Sequence, residues 1–430
     1  FSAFPTATGV VVSNAVPGNG GVIISWAAPV AVVSLSASPN PAVAGQVVTL
    51  TATVAGPTSA PVPTGNVTFV DYTTGGVAIG LPVELSGGTA STTTSSLPVG
   101  DTQLYAHYSG DATYAPVTSS LLTEDVLPLT WSAGPSGPSA RSGPAMATSP
   151  SGLTLLFGGA GAGSTAHSDT WELASPTGTW QELAAAASTA PSARTVAAMV
   201  WDPEMSEFVL FGGVSHTGYH GGTWAFDSAT ATWSELATTG SPSPRAGAAM
   251  AALPNGDIVL FGGLGSSGFL GGTWVFDPTT TTWSEQSGPG PSARYSAAMA
   301  ADGAGNVVLF GGLGPSGYES GTWSYNPTAG TWSEVATSGA APTGRFGASF
   351  AYGPSAKGFV LFGGEGTAGF SSATYSYDPA TATWAALEPS VSPTPRDGAA
   401  MSYDPPANVF VLFGGWTGSN YLSGTWELPG

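Results

Sequence analysis

The chain has 430 residues, of which 42% are hydrophobic and only 8% charged, so it can bury sizeable cores while Ser, Thr and backbone groups wet its surface. Its 26 carboxylates face only seven Lys and Arg, and the formal net charge of −19 argues against nucleic-acid backbones and anionic membrane surfaces as partners. The absence of Cys excludes disulfides, thiolate metal sites and Cys nucleophiles, and no uncharged apolar run reaches the roughly 18 residues of a membrane span.

The chain opens on Phe1 and not on Met, the expectation for a processed or trimmed protein. The run PGNGGVIISWAAP (17–29) resembles the first half of a fibronectin type III domain, with Trp26 where that family keeps an early core Trp. The other strands of such a domain are absent, and two strands alone do not make a stable sandwich. Residues 1–30 are therefore read as an N-terminal β segment. Its strands, with Val10 and Val12 on one and Val22 and Ile24 on the other, have three fates: fraying, packing on the adjacent domain, or addition to a neighbour's sheet edge as donor strands. The third would give head-to-tail self-association into an open fibre.

From Ala31 to Val126 the pattern alternates through VVSLSASP, QVVTLTATV, GNVTFVDY and DTQLYAHYSG, with turn signals every ten or so residues, as a small β-sandwich requires. The stretches SASPNPAVAGQVVTLTATV (36–54), TGNVTFVD (64–71) and YAHYSGDATYAP (105–116) resemble bacterial Ig-like repeats of extracellular proteins. That resemblance implies a spacer or adhesive module and hence export to the cell surface. Asn66-Val67-Thr68 matches the N-glycosylation acceptor pattern, a three-residue match of little weight.

Residues 127–430 are a repeat array. FGG recurs at Phe157, Phe211, Phe261, Phe310, Phe362 and Phe413, at spacings of 54, 50, 49, 52 and 51 residues. Two aromatic series follow, Trp171, Trp224, Trp274, Trp323 and Tyr375, then Trp180, Trp233, Trp283, Trp332 and Trp384, offset by nine residues each time. Turn-formers between them read as hairpins. A small-residue run before each FGG, such as AGAAMAA (246–252), supplies an innermost strand. Four antiparallel strands per unit describe a propeller blade. The Gly-Gly pair, the Tyr or Trp and the second Trp resemble the kelch family, which implies a six-bladed kelch β-propeller. The fold class expected for the whole chain is all-β, an Ig-like sandwich followed by that propeller.

The sixth repeat stops at GTWELPG (424–430), before its outer strand. LTWSA, with the spare Trp131, lies before the first repeat and fills the vacancy by pairing with the strand of Trp426, so that an N-terminal outer strand closes the propeller and removes its exposed edge.

Six of the seven basic residues share one repeat position: Arg141, Arg194, Arg245, Arg294, Arg345 and Arg396, with Lys357 elsewhere. In some kelch proteins Arg at this place binds acidic peptides, so the resemblance implies a candidate anion-binding ring at one mouth of the channel. Each Arg also reads as structural, bonded to loop carbonyls or to a blade carboxylate such as Glu182, Glu235, Glu285 or Glu334, and the two roles are compatible. Tyr219, Phe269, Tyr318, Phe370 and Tyr421 stand six residues past their Gly-Gly pairs, with His167 in the comparable loop of the first repeat. These aromatics either hold a sugar or an acidic peptide or pack on the next blade.

His216 and His220 lie in a loop without a third ligand, so no metal is expected there, and no cofactor is implied. Met146, Met199, Met250, Met299 and Met401 share one inner-strand position and read as core. Galactose-oxidase-type chemistry needs a Cys and the sialidase Asp-box is unmatched. No blade stands out from the others, and the chain is read as non-enzymatic. A secreted or cell-surface structural or adhesive protein, a subunit of an extracellular filament, is the leading expectation; a ligand-binding or glycan- or peptide-active propeller protein is the alternative.

Overall fold

The computed structural model describes residues 29–58, 60–175, 178–184, 190–354 and 358–430, together with the backbone pairing of residues 11–12 and 24–25. The chain divides into two compact units, Phe1–Pro128 and Leu129–Gly430. The described residues are almost entirely strand and turn, with one short 3-10 turn at Ala162–Ser164.

In the first unit, Val11–Val12 pairs antiparallel with Ile24–Ser25, Val12 opposite Ile24. Val10, Val22 and Trp26 lie outside the described residues. The Ig-like sandwich sets the sheet Val32–Ser38, Val48–Ala55, Thr89–Thr94 against a larger one whose main path runs Ala42–Val43, Leu122–Leu127, Gly100–Tyr108, Asn66–Asp71, Val77–Ala78. Strict alternation in VTLTATVA puts Val48, Leu50, Ala52 and Val54 into the core, against Val67, Phe69, Leu104 and Ala106. Two core tyrosines find carbonyls for their hydroxyls: Tyr108 donates to Thr64 O and Tyr114 to Pro61 O, each at 2.6 Å.

The second unit repeats one four-stranded antiparallel motif. Its first sheet runs Ala145–Thr148, Leu153–Phe157, Thr170–Ala174 and Gln181–Leu183. Four further sheets have the same order, beginning at Ala198, Ala249, Ala298 and Ser349, the last of them extended by Ser338–Gly339, which pairs parallel with its outer strand Thr383–Leu387. The last combines Ala400–Asp404, Val409–Phe413 and Thr425–Pro429 with Ser132–Ala133, which precedes all the others in sequence. Ser132 lies opposite Glu427 and Ala133 opposite Trp426. Each inner strand lies beside the next, and Ala145–Thr148 also lies beside Ala400–Asp404.

Neighbouring blades are joined by one repeated aromatic contact. Trp180, Trp233, Trp283, Trp332 and Trp384 each donate an indole N–H to a Thr hydroxyl of the preceding blade, Thr425, Thr170, Thr223, Thr273 and Thr322, at 2.9–3.0 Å. Each ring also meets that blade's FGG phenylalanine at 5.2–5.6 Å between centroids. Trp131 makes the same pair of contacts, with Thr374 at 3.1 Å and Phe362 at 5.2 Å. The shared-position methionines sit between blades and are buried: Met146 packs on Leu156 and Phe413, Met250 on Phe211 and Leu260.

Since Trp131 is buried and both edge-bonded and ring-packed, Trp131→Ala should lower the unfolding free energy of the propeller by ~3–5 kcal/mol, whereas Thr374→Val, which removes only the hydrogen bond, should cost ~1 kcal/mol. Thermal melts followed by tryptophan fluorescence check the order; equal effects of the two substitutions would contradict it.

Candidate functional site

The candidate site lies where the six Arg loops converge, and the main chain builds it. Each FGG ends a buried strand, and both glycines have positive φ. A Cβ on the first glycine would stand 2.5–2.7 Å from the carbonyl oxygen of the next blade's Arg, too close for any side chain. The second glycine donates its N–H to that same oxygen, from Gly159 to Arg194, onward through every repeat, and from Gly415 back to Arg141, at 2.8–2.9 Å. Two residues beyond each Arg, a further set of bonds runs around the axis. Val196 donates to Gly143 O, Gly247 to Val196 O, Ser296 to Gly247 O, Gly347 to Ser296 O, Gly398 to Gly347 O and Gly143 to Gly398 O, at 2.7–3.0 Å. All six residues have φ between 47° and 63°. Glycine accepts that conformation freely, whereas Val196 and Ser296 hold it under strain.

The arginines sit behind this ring as braces. Each Nη1 donates to the carbonyl of the first glycine of its own FGG, at 2.8–3.0 Å. Each Nε donates to the carbonyl, and Nη2 to the hydroxyl, of the Ser or Thr two residues earlier: Ser139, Ser192, Ser243, Ser292, Thr343 and Thr394. All six side chains are buried. Burial pulls Arg194, Arg245 and Arg396 down to about 10, so they stay cationic at neutral pH. An open cationic ring is therefore not what Arg141, Arg194, Arg245, Arg294, Arg345 and Arg396 form, because their donors already serve loop carbonyls. Of the blade carboxylates expected beside them, Glu235, Glu285 and Glu334 favour the cationic forms of Arg194, Arg245 and Arg294 through their charge, while the close ion pairs are made by other carboxylates. Asp169 binds Arg141 at 2.6 Å and Glu319 approaches Arg294 at 3.8 Å. Burial opposes ionisation of Asp169, yet the hydrogen bonds from Arg141 and Trp171 outweigh it and hold its carboxyl below the usual range. Lys357 lies outside the described residues.

The half-buried aromatics Tyr219, Phe269 and Tyr318 occupy the ends of two-stranded ribbons, Phe370 the edge of a three-stranded one that includes Arg345–Phe346, and Tyr421 pairs with Trp416. They do not act alike. Tyr318 stacks on Phe346 at 6.0 Å and 16°, Tyr421 packs on Trp416 at 4.6 Å, and a Cβ on Gly418 would collide with Phe370. His167 and His220 are partly buried beside Arg141 and Arg194, and burial together with those charges holds both below the usual imidazole range. Among the described residues no cluster of His and carboxylates could hold a metal.

Sequence reading missed a break in symmetry. The residue after each Arg is Ser142, Thr195 and Ala246 in three successive repeats, then Tyr295, Phe346 and Asp397. The residue after each Gly-Gly is Ala160, Val214, Leu264, Leu313, Glu365 and Trp416. Phe346 lies opposite Glu365 across a short antiparallel pair, and Tyr295 packs on Phe346 at 6.2 Å. The Tyr318 hydroxyl donates to Glu365 Oε1 at 3.5 Å. Asp397 leans over Gly347, and its Oδ1 is buried without a hydrogen-bond partner. Burial, reinforced by the charge of Glu365, pushes the Asp397 carboxyl up to about 7.

Comparison with known families agrees with this architecture. Residues 103–312 match the KLHDC2/KLHL20/DRC7 Kelch-repeats domain, residues 221–426 the Attractin/LZTR1 beta-propeller, and residues 35–127 the Bacterial Ig-like domain (group 3). The chain carries a kelch β-propeller preceded by a bacterial Ig-like domain. No curated protein matches it. Kelch propellers and Ig-like domains are typically non-catalytic modules of protein interaction or adhesion. Among the described residues no helix is long and apolar enough to cross a membrane.

The folded state holds the Asp397 proton more tightly than the unfolded chain, in which Asp titrates near 4. Its ionisation therefore costs stability progressively as pH rises from about 4 to about 7, and fully above that. Asp397→Asn should raise stability at pH 8 by ~2–4 kcal/mol and leave it unchanged near pH 3. Denaturant melts at the two pH values check the difference, and an equal effect at both would contradict it.

Proposed function

We propose that this is a secreted or cell-surface structural and adhesive protein, a subunit that assembles head to tail through its N-terminal strands into an extracellular filament. The observation that carries this reading is the placement of exposed apolar side chains. Among the described residues, every exposed large hydrophobic except Val391 lies between Val30 and Leu127. The propeller buries its FGG phenylalanines and outer-strand tryptophans between blades, while the Ig-like unit leaves Val30, Val32, Tyr72, Leu81 and Leu121 more than half exposed. Apolar side chains kept in water on one domain of a two-domain chain support the reading that another molecule covers that domain.

The sheet edges supply the means. Val32–Ser38 has one strand neighbour among the described residues, Val48–Ala55, and its other edge offers main-chain donors and acceptors beside the exposed Val32. The pair Val11–Val12 and Ile24–Ser25 is a two-stranded sheet with no third described strand. Such a pair gains a row of backbone hydrogen bonds by adding to an edge on the next copy, and because the two surfaces differ the contact repeats without closing. The match to a bacterial Ig-like domain supports an extracellular setting.

Deleting residues 1–28 should leave the melting of both later domains unchanged and abolish concentration-dependent assembly. Electron microscopy and sedimentation of the full chain and the truncated chain check this. Assembly of the truncated protein to the same extent, or a full chain that stays monomeric at high concentration, would overturn the filament reading.

A further inference from the structure

The six-fold main-chain ring is regular, and the side chains around it are not. Ser142, Thr195 and Ala246 leave one half of the rim small, while Tyr295, Phe346 and Asp397 load the other half with two rings and a carboxylate. Tyr318 and Glu365 join the loaded half from the adjacent ribbons, through the stack on Phe346 and the contact with the Tyr318 hydroxyl. We infer that this sector, Tyr295, Tyr318, Phe346, Glu365 and Asp397, is a binding site for a cationic side chain, the ammonium of Lys or the guanidinium of Arg, presented by a partner protein.

Three observations converge on a cation. The aromatic faces carry negative quadrupole charge, and rings set beside carboxylates form the kind of enclosure that holds an organic ammonium or guanidinium. Asp397 Oδ1 is buried and lacks a donor, and an N–H from a cation would supply one. Among the described residues no Arg competes, because all six are buried and spend their donors on their own loops. The raised Asp397 carboxyl has the same sense: burial first, and then the charge of Glu365, disfavours its ionised form, which a cation placed beside it would restore. With a formal net charge of −19, the whole surface also favours approach of a basic partner. The same chemistry disfavours the acidic peptide that an exposed Arg ring would have taken.

This site rests on the general reading of the propeller as an interaction module and not on assembly through the N-terminal strands. The test is titration of the full chain with three blocked tripeptides, acetyl-Gly-Arg-Gly-amide, acetyl-Gly-Lys-Gly-amide and acetyl-Gly-Gln-Gly-amide, followed by saturation-transfer nuclear magnetic resonance. The Arg and Lys peptides should bind and the Gln peptide should not. Asp397→Asn with Glu365→Gln should weaken cation binding at least tenfold, and Phe346→Ala should weaken it too. Asp277→Asn with Asp378→Asn, which neutralises two carboxylates on hairpin turns elsewhere, should leave it unchanged. If Phe346→Ala fails to fold, the near-isosteric carboxylate pair carries the test alone. Equal binding of the Gln peptide, equal loss in the remote pair, or no loss in the Asp397 and Glu365 pair would overturn the site. Methylammonium binding as tightly as the peptides would also overturn it, by making a free amine and not a partner's side chain the ligand. Retained peptide binding by the chain lacking residues 1–28 separates this site from the filament reading.

Discussion

The propeller depends on a main-chain contact in which the second glycine of every FGG donates to the carbonyl of the following blade's Arg. The approach is so close that a Cβ on the first glycine would overlap that oxygen, so the interface tolerates only glycine there. The Arg guanidinium then turns back to the first glycine's carbonyl in its own blade. One residue thus receives the preceding blade through its backbone and braces its own FGG turn through its side chain. Because the bond from Gly415 reaches Arg141, the last FGG is fastened in the same way as the first.

This arrangement explains how a chain with 8% charged residues orders so many loops. Polar groups at the blade junctions are matched with neutral ones: indole N–H with threonine hydroxyl, guanidinium with carbonyl and hydroxyl, backbone with backbone. Only two ion pairs occur among the described residues, at Arg141 and Arg294. Buried guanidinium groups without a carboxylate are tolerated because several oriented dipoles accept each one. A structural role of this kind consumes the donors that an anion would need.

Much of the fold was legible in the sequence, because repeat periodicity makes each element vouch for the next. The FGG series, the nine-residue aromatic offset and the unpaired Trp131 all depend on counting along the chain, and counting survives the absence of coordinates. The direction of a side chain does not. Whether Arg194 pointed outward or back to Gly212 O turned on where carbonyls lie in a loop, although Ser or Thr two residues before each Arg was present all six times as a cue to a local brace. The Asp397 sector escaped for a different reason. Asp397, Phe346 and Glu365 are ordinary loop residues when read along the chain, and their departure from Ser142, Thr195 and Ala160 shows only when repeats are compared position by position.

That comparison separates what the fold requires from what it leaves free. At the glycine pair and the Arg, no repeat deviates, since a single Cβ or a lost guanidinium would loosen a junction. The residue between the Arg and the ring is held equally firmly by its backbone, which pairs with the residue after Gly-Gly in every repeat, yet its side chain varies from Ala246 to Tyr295 to Asp397. Stability asks little of side chains whose positions are fixed by main-chain bonds on both sides. A position that is rigid in backbone and unconstrained in side chain is where a repeat scaffold can acquire specificity without weakening itself. Asp397 shows this freedom being used at a cost, since a buried carboxyl beside Glu365 destabilises the ionised folded state. A group that lowers stability at a junction where Ser142 or Ala246 would serve makes sense when it acts on something outside the fold.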